Sequence, residues 1–275
     1  MSEYYINGQA LSQFGITATR SAGTSLAVTG AWDLPKRKGD AYHDWPEADA
    51  VEAFVDAEDL VFEGRQIAFT GLIAAGGGKT LLERISAFRA FMDGISAGMF
   101  TLSCPWGQWN VQLASDVQTD RLDEKAAAIS VSFLEPAPDL TGTLPTPMGT
   151  GDDIDGYGWE EFGLYVSSVS GAFDTERRKE IGLTKAANDN SLSFGGKEAR
   201  KITINGTLIA DSYTAIKANI KALYGLFAAP GLRNYKYRGA SYRCFAPDGF
   251  KVSGLIVSSR TTAAWTITLT TADND

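Results

Sequence analysis

The sequence predicts an α+β, mainly β protein made of two tandem β-barrel-like or sandwich-like domains, each with one α-helix packed on its sheet. Two observations lead to this fold class. Short apolar runs with strand-like alternation dominate the 275 residues, and a pattern of such runs around one amphipathic stripe occurs twice. A chain of this length can bury two cores of ordinary size.

Two amphipathic helices are predicted at corresponding places in the two copies. Thr80 and Ser212 stand where an N-cap residue belongs, directly before each apolar stripe. Gly94 and Gly225 fall near the predicted helix ends, where glycine often closes a helix. The two stripes share one spacing and lie 135 positions apart: Leu81, Ile85, Phe88 and Met92, then Ile216, Ile220, Leu223 and Phe227.

Strand-like runs surround both helices in the same order. A glycine interrupts the run before each helix, at Gly71 and Gly206, and predicts a bulge or bend there. The last runs alternate strictly, which is typical of a sheet with one face on a core. The starts agree more loosely, through Phe14-Gly15-Ile16 and Phe162-Gly163-Leu164. The predicted strands are 66–73, 98–104, 108–115 and 126–134, then 201–209, 233–238, 241–246, 251–259 and 263–271.

The repeat predicts a domain at each end of the chain and a linker between them. The linker is rich in Pro, Gly, Thr and Asp and carries no apolar period. Each domain also carries a long charged arm, and the arm of the first domain is too polar for a core, although part of it, with its apolar residues, can order as a strand or against a neighbour. The predicted boundaries are 1–138 with an arm at 33–63, a linker at 139–155, and 156–275 with an arm at 174–197.

Composition limits the classes of function. The net charge of −8 argues against a general nucleic-acid binder, which needs a basic face, but it suits a surface past which DNA slides. No apolar run reaches the roughly 18–20 residues that span a bilayer, and the N-terminus lacks the layout of a secretory signal, so we expect no membrane anchor. Cys104 and Cys244, one in each copy, predict buried free thiols and no disulfide framework.

Each candidate for catalytic or ligand chemistry fails on spacing. Gly76–Thr80 lacks the first glycine of a phosphate-binding loop, so Thr80 is interpreted as a helix cap. His43 is the only histidine and has no nucleophile elbow or second ligand near it in sequence. The acidic run Asp152–Gly156 lacks the terminal glutamate of a calcium loop and is interpreted as linker acidity. We expect no catalytic residue, no metal and no cofactor.

A basic, aromatic stretch near the C-terminus allows two interpretations. Such a sheet face can stack single-stranded nucleic acid. The favoured interpretation is a hairpin whose arginines pair with acidic groups of a neighbouring subunit, because Arg and Tyr are enriched at protein interfaces. The residues concerned are Tyr235, Tyr237 and Tyr242 with Arg233, Lys236, Arg238 and Arg243.

The layout of the two copies resembles the tail-tube fold of bacteriophage tails. The segments Pro35–Gly39, Tyr42–Trp45 and Phe54–Leu60 are similar to those of distal tail and baseplate-hub proteins. The resemblance implies a structural virion protein that forms a ring at the distal end of the tail and joins the tail tube to the hub or fibres. It implies assembly in the host cytoplasm, self-association, and contacts with tail tube, baseplate hub and tail-fibre proteins, with DNA only passing through the lumen.

Several alternatives stay open at this point. Three chains would give a ring of pseudo-sixfold symmetry, and six chains would stack two rings. A carbohydrate-binding tandem β module is the second functional hypothesis, and a hydrolase acting through His43 is a distant third. For the ring, the predicted subunit-interface residues are Lys36, Arg37, Lys38, Trp45, Phe54, Arg177, Arg178, Tyr235 and Tyr237.

Overall fold

Two antiparallel β-sheets, each accompanied by one 15-residue α-helix, carry most of the ordered backbone. The computed structural model describes residues 3–20, 23–149, 151–184 and 190–272. The predicted α+β, mainly β fold class with one helix in each copy is confirmed. Residues 185–189 of the predicted arm 174–197 lie outside the described residues.

The first sheet has nine strands in the order β2-β1-β8-β9-β11-β7-β3, with β10 paired to β11 and β4 to β7. The strand β7 alternates buried and half-buried residues along its length, with Ile67, Phe69 and Ile73 fully buried, as the apolar alternation predicts. The strands are β1 Tyr5–Ile6, β2 Gln9–Ala10, β3 Ile16–Ala18, β4 Val28–Thr29, β7 Arg65–Ala74, β8 Phe100–Cys104, β9 Gly107–Leu113, β10 Gln118–Arg121 and β11 Ala126–Glu135.

The second sheet repeats this topology in eight strands, in the order β13-β12-β18-β19-β21-β17-β14 with β20 paired to β21. Two separate hairpins lie outside both sheets: β5 Tyr42–His43 with β6 Glu52–Ala53, and β15 Arg178–Thr184 with β16 Asn190–Lys197. The strands of the second sheet are β12 Asp153–Ile154, β13 Tyr157–Gly158, β14 Leu164–Ser170, β17 Lys201–Ala210, β18 Arg233–Tyr237, β19 Ala240–Phe245, β20 Phe250–Ile256 and β21 Thr261–Thr271.

Both helices begin at their predicted N-caps. The helix α1 spans Leu81–Ile95, and Thr80 and Glu83 form a reciprocal capping box at its start. The helix α2 spans Tyr213–Phe227, and Ser212 Oγ accepts a hydrogen bond from the Ala215 amide at 3.1 Å. The caps, residues 80 and 212, are 132 positions apart, whereas the apolar stripes gave 135. Apolar residues spaced three to four apart still coincide when one helix is moved by three residues against the other. The alignment of the two helices in the sequence is therefore fixed only by their caps.

The glycines near the helix ends do not cap the helices, which is a correction to the prediction. Gly94 and Gly225 both lie inside the last turn. A Cβ on Gly225 would come within 2.6 Å of the Gly142 carbonyl oxygen, and a Cβ on Gly142 would overlap the Lys221 carbonyl. Part of the predicted linker therefore packs on α2, and Gly225 provides the room for it.

The glycines inside the strands also have a different role from the predicted one. The β7–β11 register runs without a shift through Gly71, and the irregularity in the second sheet lies on the partner strand β14, between Val166 and Ser168. A Cβ on Gly206 would meet the Tyr165 carbonyl oxygen at 2.8 Å, and one on Gly71 would meet the Ile16 side chain at 3.0 Å. Close packing against a carbonyl therefore favours glycine at 206, opposite the irregularity of β14, and Gly71 lies in a tightly packed but regular strand.

A repeated turn leads from the early strands into each arm. Residues 30–38 and 171–179 share Gly-Ala-Trp/Phe-Asp followed by Lys/Arg-Arg-Lys, and we call these two segments the entry motifs. Gly30 and Gly171 have φ values of +76° and +83°. A Cβ on Gly30 would lie 2.2 Å from the carbonyl oxygen of Gln66 in β7. A Cβ on Gly171 would lie 2.0 Å from the carbonyl oxygen of Lys201 in β17. The backbone therefore makes the same turn in both copies.

An arginine fastens each entry motif to its sheet. Arg65 Nη1 donates to the Ala31 carbonyl at 3.1 Å and to the buried Glu135 carboxylate at 3.2 Å. Arg200, 135 positions later, donates in the same way to the Ala172 carbonyl and pairs with Glu176. Both arginines stand just before or at the start of the strand that precedes the helix, so the turn and this strand are held together.

The described chain divides into two compact units that do not follow chain order. The arm of the first copy belongs by its contacts to unit 2, and the segment 252–263 belongs to unit 1. The predicted domain boundaries describe the repeat in the sequence and stay a prediction. Unit 1 comprises 1–33, 64–139 and 252–263, and unit 2 comprises 34–63, 140–251 and 264–275.

Replacing Gly171 by alanine is expected to destabilise the protein far more than replacing Gly239. Both glycines have a left-handed φ, +83° and +84°, so both variants suffer the same local strain of about 1–2 kcal/mol. Only Gly171 also faces a carbonyl oxygen, since nothing lies within 4 Å of a Cβ on Gly239. Urea denaturation should show a loss at Gly171 at least about 2 kcal/mol larger than at Gly239. Equal losses would contradict a packed entry turn.

Candidate interaction surface

The two arms meet at a single buried lysine, Lys179. Its side chain is 8% exposed, and its ammonium donates to the carbonyl oxygens of Trp45, Ala48 and Ala50 at 2.8, 2.8 and 2.7 Å. The Asp44 carboxylate lies 2.5 Å from the same nitrogen. Three hydrogens thus face four acceptors, which is the condition for burying a cation at tolerable cost. We call Lys179 with residues 44–50 the lysine clamp.

The hairpin β15–β16 packs directly on the loop of the lysine clamp. The Gly196 amide donates to the Pro46 carbonyl at 3.0 Å, and the Ala50 amide donates to the Lys197 carbonyl at 2.9 Å. A Cβ on Gly195 would lie 1.9 Å from the Pro46 carbonyl oxygen, so only glycine allows this approach. Ala50 itself has φ +53°, a left-handed conformation that its two backbone hydrogen bonds hold in place.

The first arm contributes to the core of unit 2, which corrects the expectation that it is too polar for a core. Val51 and Ala53 are 3% and 6% exposed and form a cluster with Phe245 and Ala272. Arg37 is buried beside this cluster, with its guanidinium carbon 5.3 Å from the centre of the Phe245 ring. The arm lies in unit 2 because its short apolar segments, and not its average polarity, decide where it packs.

The guanidinium of Arg37 has one carbonyl acceptor and one ring contact, and its buried Nε has no hydrogen-bond partner among the described residues. Its Nη1 donates to the Phe54 carbonyl at 2.7 Å, and its backbone amide donates to the Pro247 carbonyl at 2.8 Å. Burial lowers the pKa of Arg37 to about 10, and the nearby positive charge of Arg233 acts in the same direction. The guanidinium still stays protonated at neutral pH, so unit 2 holds a buried positive charge.

Two cations of the basic hairpin β18–β19, Arg233 and Lys236, are paired within their own chain. Arg233 forms an ion pair with Asp155 at 3.1 Å, and Lys236 forms one with the buried Asp153 at 3.3 Å. Asp155 also accepts a hydrogen bond from the Asn234 amide at 2.7 Å. The favoured interpretation, pairing with a neighbouring subunit, is therefore wrong for Arg233 and Lys236. The acidic run is not plain linker acidity either, because part of it forms β12 beside β18.

The tyrosines of this hairpin are divided between core and surface. Tyr235 is fully buried, and burial raises the pKa of its phenol. Tyr237 is half-buried and lies between Tyr235, at 6.1 Å between ring centres, and Phe173, at 5.7 Å. Phe173 is 61% exposed. An exposed aromatic therefore continues the buried ring cluster outwards at the second entry motif.

The nine predicted interface residues fall into distinct environments. Arg37 and Tyr235 belong to the core of the chain itself. Phe54 and Tyr237 are half-buried, and the other five side chains are exposed: Lys36, Lys38, Trp45, Arg177 and Arg178. The assignment of these residues to a subunit interface stays a prediction. Lys179 and Phe173 were missed, although the alignment of Gly30–Lys38 with Gly171–Lys179 in the sequence is a signal that could have found both.

The remaining candidates have ordinary structural partners. His43 packs against Trp45 with 4.0 Å between ring centres and the ring planes tilted by 56°, and the Trp45 indole donates to Glu52 at 2.7 Å. Arg84 donates to the Gly76 carbonyl at 2.6 Å, which orders the glycine-rich loop against its own helix. Among the described residues there is no cluster of three His, Cys, Asp or Glu side chains that could hold a metal ion. Nor does that part of the chain contain a helix long and apolar enough to cross a membrane.

Comparison with known proteins gives a distant structural similarity and no match to a family model or a curated protein. Among solved structures, the chain is similar to the SPP1 Dit protein (gp 19.1), described as a paradigm of hub adsorption apparatus in phages that infect Gram-positive hosts. The identity is 10%, 98% of each chain is covered, and the TM-score is 0.38. This degree of likeness does not identify a family, so the function has to be argued from the chain's own duplication and contacts.

Replacing Lys179 by methionine is expected to lower the free energy of unfolding by about 2–4 kcal/mol. The variant keeps an apolar stem of similar length but leaves three carbonyl oxygens and Asp44 without their donor. The control is Lys38→Met, because Lys38 is the corresponding residue of the first entry motif and is exposed. Urea denaturation should show less than about 0.5 kcal/mol for the control. Equal losses would contradict the lysine clamp.

The two thiols are expected to react slowly in the native protein. Burial raises the pKa of Cys244 to about 12, and burial also raises that of the half-buried Cys104. The reactive thiolate of Cys244 is then roughly one part in ten thousand at pH 8. Ellman's reagent at pH 8 should label Cys104 first and Cys244 only after unfolding in guanidinium. Rapid labelling of Cys244 in the native state would contradict its burial.

Proposed function

We propose that this chain is a structural virion protein that forms a ring at the distal end of a phage tail, around the DNA channel. In this role it connects the tail tube to the baseplate hub or fibres, after assembly in the host cytoplasm. The observation that carries the proposal is the duplication: two sheets of the same topology, each with a capped helix and the same entry motif.

The duplication supports a ring because each chain brings two similar building blocks in sequence. Heterologous contacts between different faces of successive blocks produce a closed ring when the rotation between them closes. Three chains then supply six similar blocks, and six chains supply two such layers. A net charge of −8 suits a channel wall past which DNA moves without binding.

The exposed aromatics of unit 2 favour protein contacts over a carbohydrate site. Tyr165, Phe173 and Phe194 are each more than half exposed. None of them lines the pocket of about 330 Å³ formed by Val55, residues 231–234 and Arg243. A sugar-binding site needs aromatic faces inside a concave pocket. Aromatic side chains that are exposed outside such a pocket instead suit an interface between proteins.

The proposal predicts that the purified full-length chain self-associates. Mass photometry and sedimentation velocity should give a particle of three or six times the chain mass of 29.5 kDa, and negative-stain averages should show a central hole. A chain that stays monomeric at all concentrations up to about 100 μM would contradict the proposal. A monomer that binds cell-wall polysaccharide in calorimetry would favour the carbohydrate-binding module instead.

A further inference from the structure

The two entry motifs have the same sequence pattern and the same turn, but only one of them has its outer residues bound. In the first copy, Asp33 Oδ1 accepts a hydrogen bond from the Val252 amide at 2.8 Å, within unit 1. Leu34 and Phe250 exchange backbone hydrogen bonds at 2.9 and 3.3 Å, within unit 2. The first motif therefore lies along the outer edge of β20 and covers it.

Arg37 completes this contact. Its amide donates to Pro247, and its guanidinium lies over Phe245, at the end of β19. The receiving surface is thus the corner where β19 leads into β20, residues 245–252. Leu34 and Arg37 are 2% and 5% exposed as a result.

The corresponding residues of the second motif are exposed. Phe173, which matches Trp32, is 61% exposed, whereas Trp32 is only 8% exposed. Asp174, Thr175 and Arg178, which match Asp33, Leu34 and Arg37, also lie at the surface. The Arg178 side chain donates to the Gly195 carbonyl at 3.2 Å, and its backbone pairs with Lys197 of β16. The second motif therefore presents the same turn, aspartate and arginine as the first with its outer face open, and it has Thr175 and Glu176 in place of Leu34 and Pro35.

The first copy contains the matching receiving corner. Gln112 pairs with Leu134 on the last strand of its sheet just as Phe245 pairs with Thr270, so the corresponding corner begins at Gln112. Residues 113–118, from the last residue of β9 to the first of β10, form most of this corner. All six of these residues are half-buried or exposed. A pocket of about 370 Å³ opens there, lined by Arg89, Asp93, Leu113, Asp116 and Val117.

We propose that the second entry motif, residues 171–178, docks on the β9–β10 corner, residues 113–118, of a second copy of this chain. The inference rests on the proposed function as a self-assembling ring protein and names its contact surfaces. The contact would repeat between chains what the first motif does within the chain. The charge is complementary on balance, because Asp93 and Asp116 outnumber Arg89 in the corner pocket and Arg178 would approach their carboxylates.

The proposed contact is heterologous, which makes it testable by mixing. Each chain carries one open motif and one open corner, so chains add head to tail. A motif variant, Phe173→Ala with Arg178→Glu, should lose its docking segment but keep its corner. A corner variant, Asp116→Arg with Val117→Pro, should lose the corresponding backbone donor and the carboxylate but keep its motif.

In sedimentation velocity, each variant alone should remain at 29.5 kDa, and their equimolar mixture should give a 59 kDa heterodimer that does not grow further. The control, Met148→Ala with Arg260→Glu, removes one exposed apolar side chain and reverses one exposed arginine outside both surfaces and should assemble as wild type. Circular dichroism and the thermal midpoint of each variant verify that it is folded. A variant that unfolds is replaced by the single change Arg178→Glu or Asp116→Arg, and the mixing is repeated.

The possible outcomes separate this inference from the proposed function. If the wild-type chain never associates, the ring itself fails. If the wild type associates and both folded variants assemble as the wild type does, the ring stands and these contact surfaces are wrong. Variants that are each monomeric but form no heterodimer on mixing also overturn the head-to-tail contact.

Discussion

The close approach of a left-handed glycine to the strand that precedes the helix is the constraint on which both copies depend. Gly30 and Gly171 bring the chain against carbonyl oxygens of β7 and β17, where no side chain fits. The chain can leave the sheet only at this point and in this direction. Arg65 and Arg200 then bind the next carbonyl, so the exit of each arm is fixed on both sides of the turn. Both arms therefore leave their sheets through the same turn.

The two arms use their positive charges differently although they begin alike. Arg37 is buried over Phe245, whereas its counterpart Arg178 is exposed. Lys179 is buried among three carbonyls, whereas its counterpart Lys38 is exposed. In each arm one positively charged side chain of the entry motif is buried, and backbone carbonyl oxygens supply most of its hydrogen-bond acceptors. Such a site tolerates burial because the acceptors are already ordered by turns and strands around it.

The local periodic elements could be predicted from the sequence, and the long-range partners could not. Strands 65–74 and 201–210 and both N-caps follow from alternation and cap residues, which act within a few residues of each other. The short strand β10 and the hairpin β5–β6 were missed, because two to four residues carry no measurable period. The offset between the two helices was predicted three residues too large, because a regularly repeating apolar stripe matches itself at more than one alignment.

The same distinction applies to the candidate interaction surface. The charges of 33–63 and 174–197 were visible in the sequence, but average polarity did not reveal that Val51 and Ala53 complete a core. The acidic run at 152–155 and the basic hairpin at 233–238 were each noticed, and nothing in their spacing indicated that they pair with each other. The entry motif is the exception, because its aligned glycine, alanine and aspartate are readable without a structure.

The duplication explains why one entry motif is bound within the chain while the other is exposed. In an assembly of single domains, every contact between neighbours has to form by association and pays its entropic cost. Joining two domains in one chain makes every second contact intramolecular, where the effective concentration is high. The first motif, bound along β20, is such an internal contact. The second motif has the same turn and the same arginine, but its own sheet cannot offer it a second receiving corner. In the proposed contact another chain supplies that corner, and so the half of the repeat that stays open directs the growth of the assembly.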